Sequence, residues 1–150
     1  METLFDAASR DRIFARIDAL RPDSARVWGK MTVAQALAHC AITFEIATGE
    51  RPCRQKLIGK ILGPFVRKKM LGPEPFGRNG PTGPDLVVKD ERDFARERER
   101  LRALVGKFAA AGPEAAARQT HGFLGRLSGE EWGRLMHKHL SHHLAQFGSN

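Results

Sequence analysis

The chain has 150 residues, a formal net charge of +8 and an apolar content of 41%. This length and composition are typical of one globular domain with a buried core, so we predict a single domain over residues 1–150. No apolar run reaches the 18 residues or so that a membrane-spanning helix needs, and we therefore predict no membrane partner. Two cysteines make no disulfide framework, and the first residues lack a secretory pattern. A cytoplasmic location is the simplest prediction.

The first third of the chain contains two helical patterns. A helix from about Ala8 to Leu20, ended by Pro22, is predicted by an apolar stripe at Ile13, Phe14, Ile17 and Leu20. A second helix is predicted to open with a capping box, in which Thr32 is followed three residues later by Gln35. It extends to about Thr48, and His39 lies two turns into it, at the edge of its apolar face.

Residues 51–84 are less regular. The segment from 51 to 69 holds seven basic residues and no acidic one: Arg51, Arg54, Lys56, Lys60, Arg67, Lys68 and Lys69. Two glycines and a proline weaken a long helix over 54–71, so we predict a short or broken one. Its apolar side chains are expected to pack inward, namely Leu57, Ile61, Leu62, Phe65, Val66 and Met70. Four prolines and four glycines in residues 72–84 predict a long loop, either ordered or a mobile flap.

The second half of the chain contains two further long helices. One is predicted from Asp90, as the N-cap, to about Ala111, before Gly112 and Pro113. The last opens with a second capping box at Ser128 and continues through residues 132–147. No strand pattern stands out, and residues 86–88 are too short to form one. We therefore predict an all-α four-helix bundle with an extra short or broken helix and a long Pro/Gly-rich loop.

Four of the six histidines lie in the last helix. A helix turns by about 100° per residue, so His139 and His143 share one face. That face is the apolar one, formed by Trp132, Leu135, Met136 and Phe147. A buried imidazole without a partner costs about 1–3 kcal/mol. A divalent ion would satisfy both rings, since two nitrogens at this spacing can each lie about 2.0–2.1 Å from one ion.

His39 is the third candidate ligand, since the second helix can bring it to the same part of the bundle. Three neutral imidazoles with an open position are typical of a catalytic metal site. Zn, Ni, Fe or Mn could occupy it, and imidazole ligands do not distinguish the first three. His142 is expected either to contact the ligands from outside the metal site or to lie at the surface. Gln146, one turn further on, could hydrogen-bond a ligand or substrate. His121 and His142 are candidates for a general acid or base, and no substrate-binding residue is assigned.

Two other interpretations stay open on the residues alone. The last helix can be a surface helix that is rich in histidine by chance, or one that takes up a metal only from a purification column, and His39 can lie at the surface or be hydrogen-bonded in the core. The protein would then be a non-catalytic basic helical module that binds nucleic acid or an acidic partner. Nucleic acid is the less favoured partner. Phe65 is the only aromatic residue in the basic segment, so the segment offers no platform on which bases could stack.

The motif His139-x-x-His142-His143-x-x-Gln146 resembles the C-terminal H-x-x-H-H-x-x-Q motif of the DinB/YfiT-like superfamily. Residues 31–40, which include His39, resemble the second-helix segment that carries the first metal histidine of that superfamily. Residues 121–132 resemble an uncharacterised branch of it. Leu144 stands where the superfamily often has an arginine after the second histidine, and residues 51–84 have no counterpart in the superfamily pattern.

This resemblance implies a four-helix bundle with up-down-down-up character, often found as a homodimer. It also implies a three-histidine divalent metal site at one end of the bundle, with His39, His139 and His143 as the ligands. Characterised members include S-transferases and isomerases that use low-molecular-weight thiols. The implied function is a metal-dependent transferase or hydrolase that acts on a small-molecule substrate, for which a low-molecular-weight thiol is one candidate.

Overall fold

The computed structural model describes residues 1–150 and contains five α-helices with one small hairpin. The helices are α1 (Ala7–Asp18), α2 (Val33–Thr48), α3 (Leu57–Leu71), α4 (Phe94–Ala117) and α5 (Gly129–Ala145). Two-residue strands β1 (Thr120–His121) and β2 (Gly125–Arg126) pair antiparallel between α4 and α5, and a 3-10 turn (Pro84–Leu86) precedes α4. The predicted all-α fold is confirmed, although the hairpin was missed. None of the helices combines the length and apolarity required to cross a membrane.

The two predicted capping boxes are both present and fix where α2 and α5 begin. The Thr32 hydroxyl accepts a bond from the Gln35 N–H at 3.2 Å, and the Gln35 side chain accepts from the Thr32 N–H at 2.9 Å. Ser128 and Glu131 exchange the equivalent bonds at 3.1 and 2.8 Å. These caps satisfy N–H groups that have no partner within the helix. They therefore fix the first residue of each of the two helices that carry the candidate ligands.

The core lies between four helices, with α2 at its centre. Helix α2 packs mainly against α4 and also contacts α5, and α1 closes the bundle against α5. The largest fully buried side chains come from α1, α2, α4 and α5 and from the N-terminus: Trp132, Phe44, Phe108, Leu4, Ile13, Ile17, Leu101, Leu140 and Val105. A smaller cluster on another side of α2 joins Ala38 and Ile42 to Val88. Helix α2 is therefore covered on more than one face.

Helix α4 differs from its prediction at both ends. Asp93, not Asp90, is the N-cap, and its carboxylate accepts a bond from the Arg96 N–H at 2.8 Å. The preceding segment is held against α2 because Val88 is buried there and the Gln35 side chain bonds the Asp90 carbonyl. The helix breaks where the sequence predicts it, at Gly112, whose φ of 81° is left-handed, and one further turn follows Pro113.

Helix α3 is continuous, so the prediction of a short or broken helix is wrong. The glycines that weaken it are its two buried residues, and they let it lie directly against the hairpin backbone. A Cβ at Gly59 would collide with the Phe123 carbonyl oxygen, and one at Gly63 would lie 3.1 Å from that atom. Arg67 ties the helix to α5 through two bonds to the Glu131 carboxylate at 2.7 and 2.8 Å. Close packing and this ion pair offset the weak intrinsic propensity.

The expected inward packing of the apolar side chains of α3 is also wrong for most of them. Val66 and Met70 are partly buried against the core. Leu57, Ile61, Leu62 and Phe65 instead face away from the bundle and are exposed. The side of the helix that carries Gly59 and Gly63 packs against the hairpin, so the larger apolar side chains lie on the opposite side.

Candidate metal centre

The three predicted ligands converge, although they come from positions 100 residues apart. One ring nitrogen from each of His39, His139 and His143 lies within 4.8 Å of the others. The Nε2 atoms of His39 and His139 are 3.1 Å apart. The ring centroid of His143 lies 4.7 Å from that of His39 and 4.7 Å from that of His139. The predicted juxtaposition of α2 and α5 is therefore correct, and it forms the candidate site.

His39 is held by the backbone of the segment that precedes α4. Its Nδ1–H donates to the Leu86 carbonyl oxygen at 2.8 Å. A carbonyl can only accept, so Nδ1 carries the proton and the Nε2 lone pair is free. Residues 86–88 were predicted to form no strand, because the segment is too short. Val88 is nevertheless buried against α2 with Leu86 packed beside it, and this contact places the Leu86 carbonyl that orients the first ligand.

His143 is oriented by Gln146, as the sequence predicted for a residue one turn further on. The Oε1 atom of Gln146 accepts from the Nδ1–H of His143 at 3.0 Å, while its Nε2 donates to the Trp28 carbonyl at 3.0 Å. Gln146 is buried, and a Cβ at Gly29 would collide with its amide nitrogen. Gly29, with a φ of 86°, therefore provides the space for the amide. This leaves the Nε2 lone pair of His143 free.

His139 has a weaker partner on its other side. The Thr43 hydroxyl lies 3.5 Å from Nδ1 of His139 and donates its own proton to the Cys40 carbonyl at 2.7 Å. The hydroxyl oxygen is thereby turned to accept from Nδ1–H. All three ligands therefore share one arrangement, in which Nδ1 faces an acceptor and Nε2 faces the centre of the cluster.

Burial keeps these rings neutral, which is the form that binds metal. Loss of hydration lowers the pKa of His39 and His139, and the neighbouring histidines lower that of His139 further. Burial together with His39 lowers the pKa of His143 to about 3. Protonation of any ring would place a positive charge among other imidazoles with no carboxylate in the cluster.

These donors fit a divalent ion. Two unprotonated nitrogens that face each other repel unless a proton or a cation lies between them. Nitrogens bound to one ion at about 2.0–2.1 Å lie about 2.8–3.4 Å apart for octahedral to tetrahedral angles, and the His39–His139 separation of 3.1 Å falls in this range. Nδ1–H groups bonded to a carbonyl or amide oxygen are the usual support of metal-binding histidines.

A family profile described as "Protein of unknown function (DUF1569)" matches residues 3–150. The chain belongs to the DUF1569 family. No curated protein and no solved structure matches it. The match covers nearly the whole chain, so the histidine cluster and the α3 segment both lie within the family's extent.

His142 of this DUF1569 protein lies beside the cluster rather than in it. Its ring is 5.1 Å from that of His143 and packs between Trp28, at 5.5 Å, and Phe76, at 5.8 Å. Burial lowers its pKa as well. The guanidinium of Arg78 lies over the Trp28 ring at 4.4 Å. The 72–84 loop therefore borders the cluster through Phe76 and Arg78, for which the sequence contains no local signal.

The two remaining histidines are engaged elsewhere. Nδ1 of His121 accepts from the N–H groups of Phe123 and Leu124 at 3.1 and 3.0 Å, which leaves Nε2 protonated. Burial lowers the pKa of His121 to about 4. This geometry makes His121 a support of the hairpin turn. His137 is buried near Glu2, with Nε2 at 3.6 Å from the carboxylate. The catalytic roles suggested for His121 and His142 stay predictions.

Proposed function

We propose that this DUF1569 protein is a metal-dependent enzyme with His39, His139 and His143 as the ligands of one divalent ion. The observation that carries the proposal is the arrangement of the three rings, each with a free Nε2 turned inward and Nδ1 turned toward an acceptor. The family description records no activity, so the reaction is inferred from the donor set. Three imidazoles without a carboxylate or thiolate ligand favour a catalytic rather than a structural ion.

A divalent ion bound there would act as a Lewis acid that lowers the pKa of a thiol or a water at its open position. The chain itself supplies orientation and enclosure. The Leu86 carbonyl orients His39, and Gln146 orients His143. Trp28 and Phe76 pack against His142 and enclose that side of the site. The His142 ring lies 5.1 Å from that of the ligand His143, so it is the candidate that would accept or return a proton.

The substrate class is proposed from the resemblance to the DinB/YfiT-like superfamily, which the family match neither supports nor opposes. On that basis the reaction is transfer of a low-molecular-weight thiol to a small electrophile, with hydrolysis of a small substrate as the other candidate. The ion would be Zn, Ni, Fe or Mn, and the protein a cytoplasmic homodimer. In each of the three rings Nδ1 lies beside an oxygen atom. This shared arrangement favours a metal-dependent enzyme over the basic binding module, which would not require the histidines.

Cobalt substitution tests the thiol reaction directly. Tag-free protein loaded with Co²⁺ is titrated with a small thiol, and the sulfur-to-metal charge-transfer band is followed by absorption. We expect the band to grow to saturation in the wild type and in His137→Ala, whose ring lies outside the cluster. It should be absent in His139→Ala, which removes a ligand. Thiol consumption in the presence of a small electrophile is then measured on the same three proteins.

Each possible result has a definite meaning. A saturable band that needs His139, followed by metal-dependent thiol consumption, supports the transferase. Cobalt binding without a thiol band rejects the thiol reaction and leaves hydrolysis to be assayed with small esters and amides. Failure of the wild type to bind cobalt would contradict the proposal as a whole.

A further inference from the structure

The side of α3 that faces away from the bundle is an uncovered apolar surface. We call it the outer face of α3, and it consists of Leu57, Ile58, Ile61, Leu62 and Phe65. These side chains are exposed by 73%, 53%, 58%, 42% and 82%. They occupy a little over two consecutive turns, so they form one patch rather than scattered contacts. A contiguous exposed patch of this kind marks an interaction surface.

Positive charge without a partner surrounds this patch. Of the seven basic residues between 51 and 69, three are paired, Arg51 with Glu45, Lys56 with Asp85 and Arg67 with Glu131. The other four are exposed, and none makes an ion pair: Arg54, Lys60, Lys68 and Lys69. Arg54 precedes the outer face, Lys60 borders it, and Lys68 and Lys69 follow it by one turn. The partner that covers this surface must therefore bury apolar side chains and carry negative charge.

A second copy of the chain fits this description poorly. In a two-fold contact the same surface meets itself, so the unpaired cations of both copies would approach each other. No acidic residue lies between 51 and 69 to separate them. A stable interface also covers about 800 Å² on each partner, more than these five side chains provide alone.

Nucleic acid and a folded acidic partner are also less suitable. Exposed leucine and isoleucine side chains gain nothing from a phosphate backbone, and Phe65 is the only aromatic residue available for stacking. A specific protein partner is recognised through well-placed hydrogen bonds as well as apolar contacts. The segment from 56 to 72 contains no serine, threonine, asparagine, glutamine or acidic residue to make them. Apolar burial and simple charge attraction are the two forces that this surface offers.

We propose that the outer face of α3 docks onto an anionic lipid surface. The helix axis would lie in the plane of the interface, with Leu57, Ile61 and Phe65 inserted between the lipid headgroups and the lysines among the phosphates. This is the arrangement of amphipathic helices that lie on a membrane without crossing it. The earlier prediction of no membrane partner rested on the absence of a spanning segment, which has no bearing on a helix that lies on the surface. The proposal is independent of the metal site.

Vesicle co-sedimentation of tag-free protein tests the proposal. Vesicles of phosphatidylcholine alone are compared with vesicles that also contain phosphatidylglycerol. We expect binding to the anionic vesicles only, with affinity that falls as salt increases, because the attraction is screened. Protein without vesicles is centrifuged in parallel, so that self-association is measured separately.

Two matched pairs of variants locate the contact. Ile61→Ser is compared with Val27→Ser, since both residues are 58% exposed but Val27 lies outside α3. We expect Ile61→Ser to weaken vesicle binding by about tenfold and Val27→Ser to change it by less than about twofold. The double variant Lys68→Gln/Lys69→Gln should weaken binding by about tenfold or more. Arg26→Gln/Lys30→Gln removes the same charge from the connector between α1 and α2 and should have a smaller effect.

Several results would overturn the assignment. Equal weakening by the two charge variants would mean that overall charge, not α3, drives binding. Absence of binding to anionic vesicles would reject a lipid surface. A dimer that Ile61→Ser dissociates would identify a second copy as the occupant. Salt-dependent binding of duplex DNA that Lys68→Gln/Lys69→Gln abolishes, without vesicle binding, would favour nucleic acid.

Discussion

Gln146 is a buried amide whose two ends are both used, since one holds His143 and the other holds the Trp28 carbonyl. Gln146→Ala should lower divalent metal affinity by about 10–100-fold, the usual effect of removing a group that orients a ligand. The affinity is measured by competition with a chromophoric chelator. Gln146→Glu keeps an acceptor for the Nδ1–H of His143, so its metal affinity should fall less than that of Gln146→Ala. Equal affinity in Gln146→Ala and the wild type would show that the amide does not support the ligand.

His121 is expected to act on the hairpin and not on the reaction. His121→Ala leaves two backbone N–H groups without an acceptor and should destabilise the fold by about 1–3 kcal/mol. His121→Asn places an amide oxygen near the former Nδ1 position and should recover much of the loss. Urea unfolding measures both effects. Metal affinity should be unchanged in His121→Asn, and loss of metal binding or turnover in that folded variant would instead assign His121 to the active site.

The ligand residues could be predicted because helical spacing alone places His139, His143 and Gln146 on nearby positions of one helix. Their supports on other segments could not. The Leu86 carbonyl reaches His39 only because Val88 is buried on α2, and Gly29 matters only because Gln146 fills the space beside it. Such contacts depend on how distant segments fold together, and no local pattern in the sequence records them.

At the scale of elements, α3 shows how glycine can position a helix. Gly59→Ala would bring a Cβ into the Phe123 carbonyl, so we expect it to destabilise the protein by about 1–3 kcal/mol, the usual cost of overpacking. Gly106 in α4 is the matched control, because a Cβ there meets nothing within 4 Å. Gly106→Ala should stabilise by up to about 1 kcal/mol through helix propensity. Both are measured by urea unfolding, and stabilisation in both variants would contradict the close packing of α3.

The capping boxes and the break at Gly112 were predictable because each depends on residues that are close in sequence. The orientation of α3 was not. Periodicity shows which side chains share a face of a helix. The apolar residues of α3 lie on several faces, so periodicity could not predict which side packs against the bundle. The small side chains of Gly59 and Gly63 decided it, because they allow the closest approach of helix and hairpin.

At the scale of the whole molecule, the buried neutral histidines make stability depend on pH. The pKa of His121 is about 4 and that of His143 about 3, below an ordinary value of 6.5. The unfolded chain therefore binds protons near pH 6.5 that the folded chain does not bind. The stabilisation is complete above pH 6.5 and falls as the pH decreases toward 4, by at most about 1.4 kcal/mol per pH unit for each such histidine.

Urea unfolding of the metal-free protein between neutral pH and pH 5 measures this loss. His121→Asn removes one titrating group and should show a shallower decline than the wild type. Stability that stays constant or rises as the pH decreases would contradict the burial of these rings in the neutral form.

Metal content tests most directly whether α2 and α5 together form a metal site. Elemental mass spectrometry is applied to tag-free wild type, His139→Ala and His137→Ala after incubation with Zn²⁺, Ni²⁺, Mn²⁺ or Fe²⁺ and removal of free ions. We predict about one bound ion per chain in the wild type and in His137→Ala, and none in His139→Ala, since three imidazoles are needed for one open site. No bound ion in the wild type, or equal loss in both variants, would contradict a metal site formed by α2 and α5.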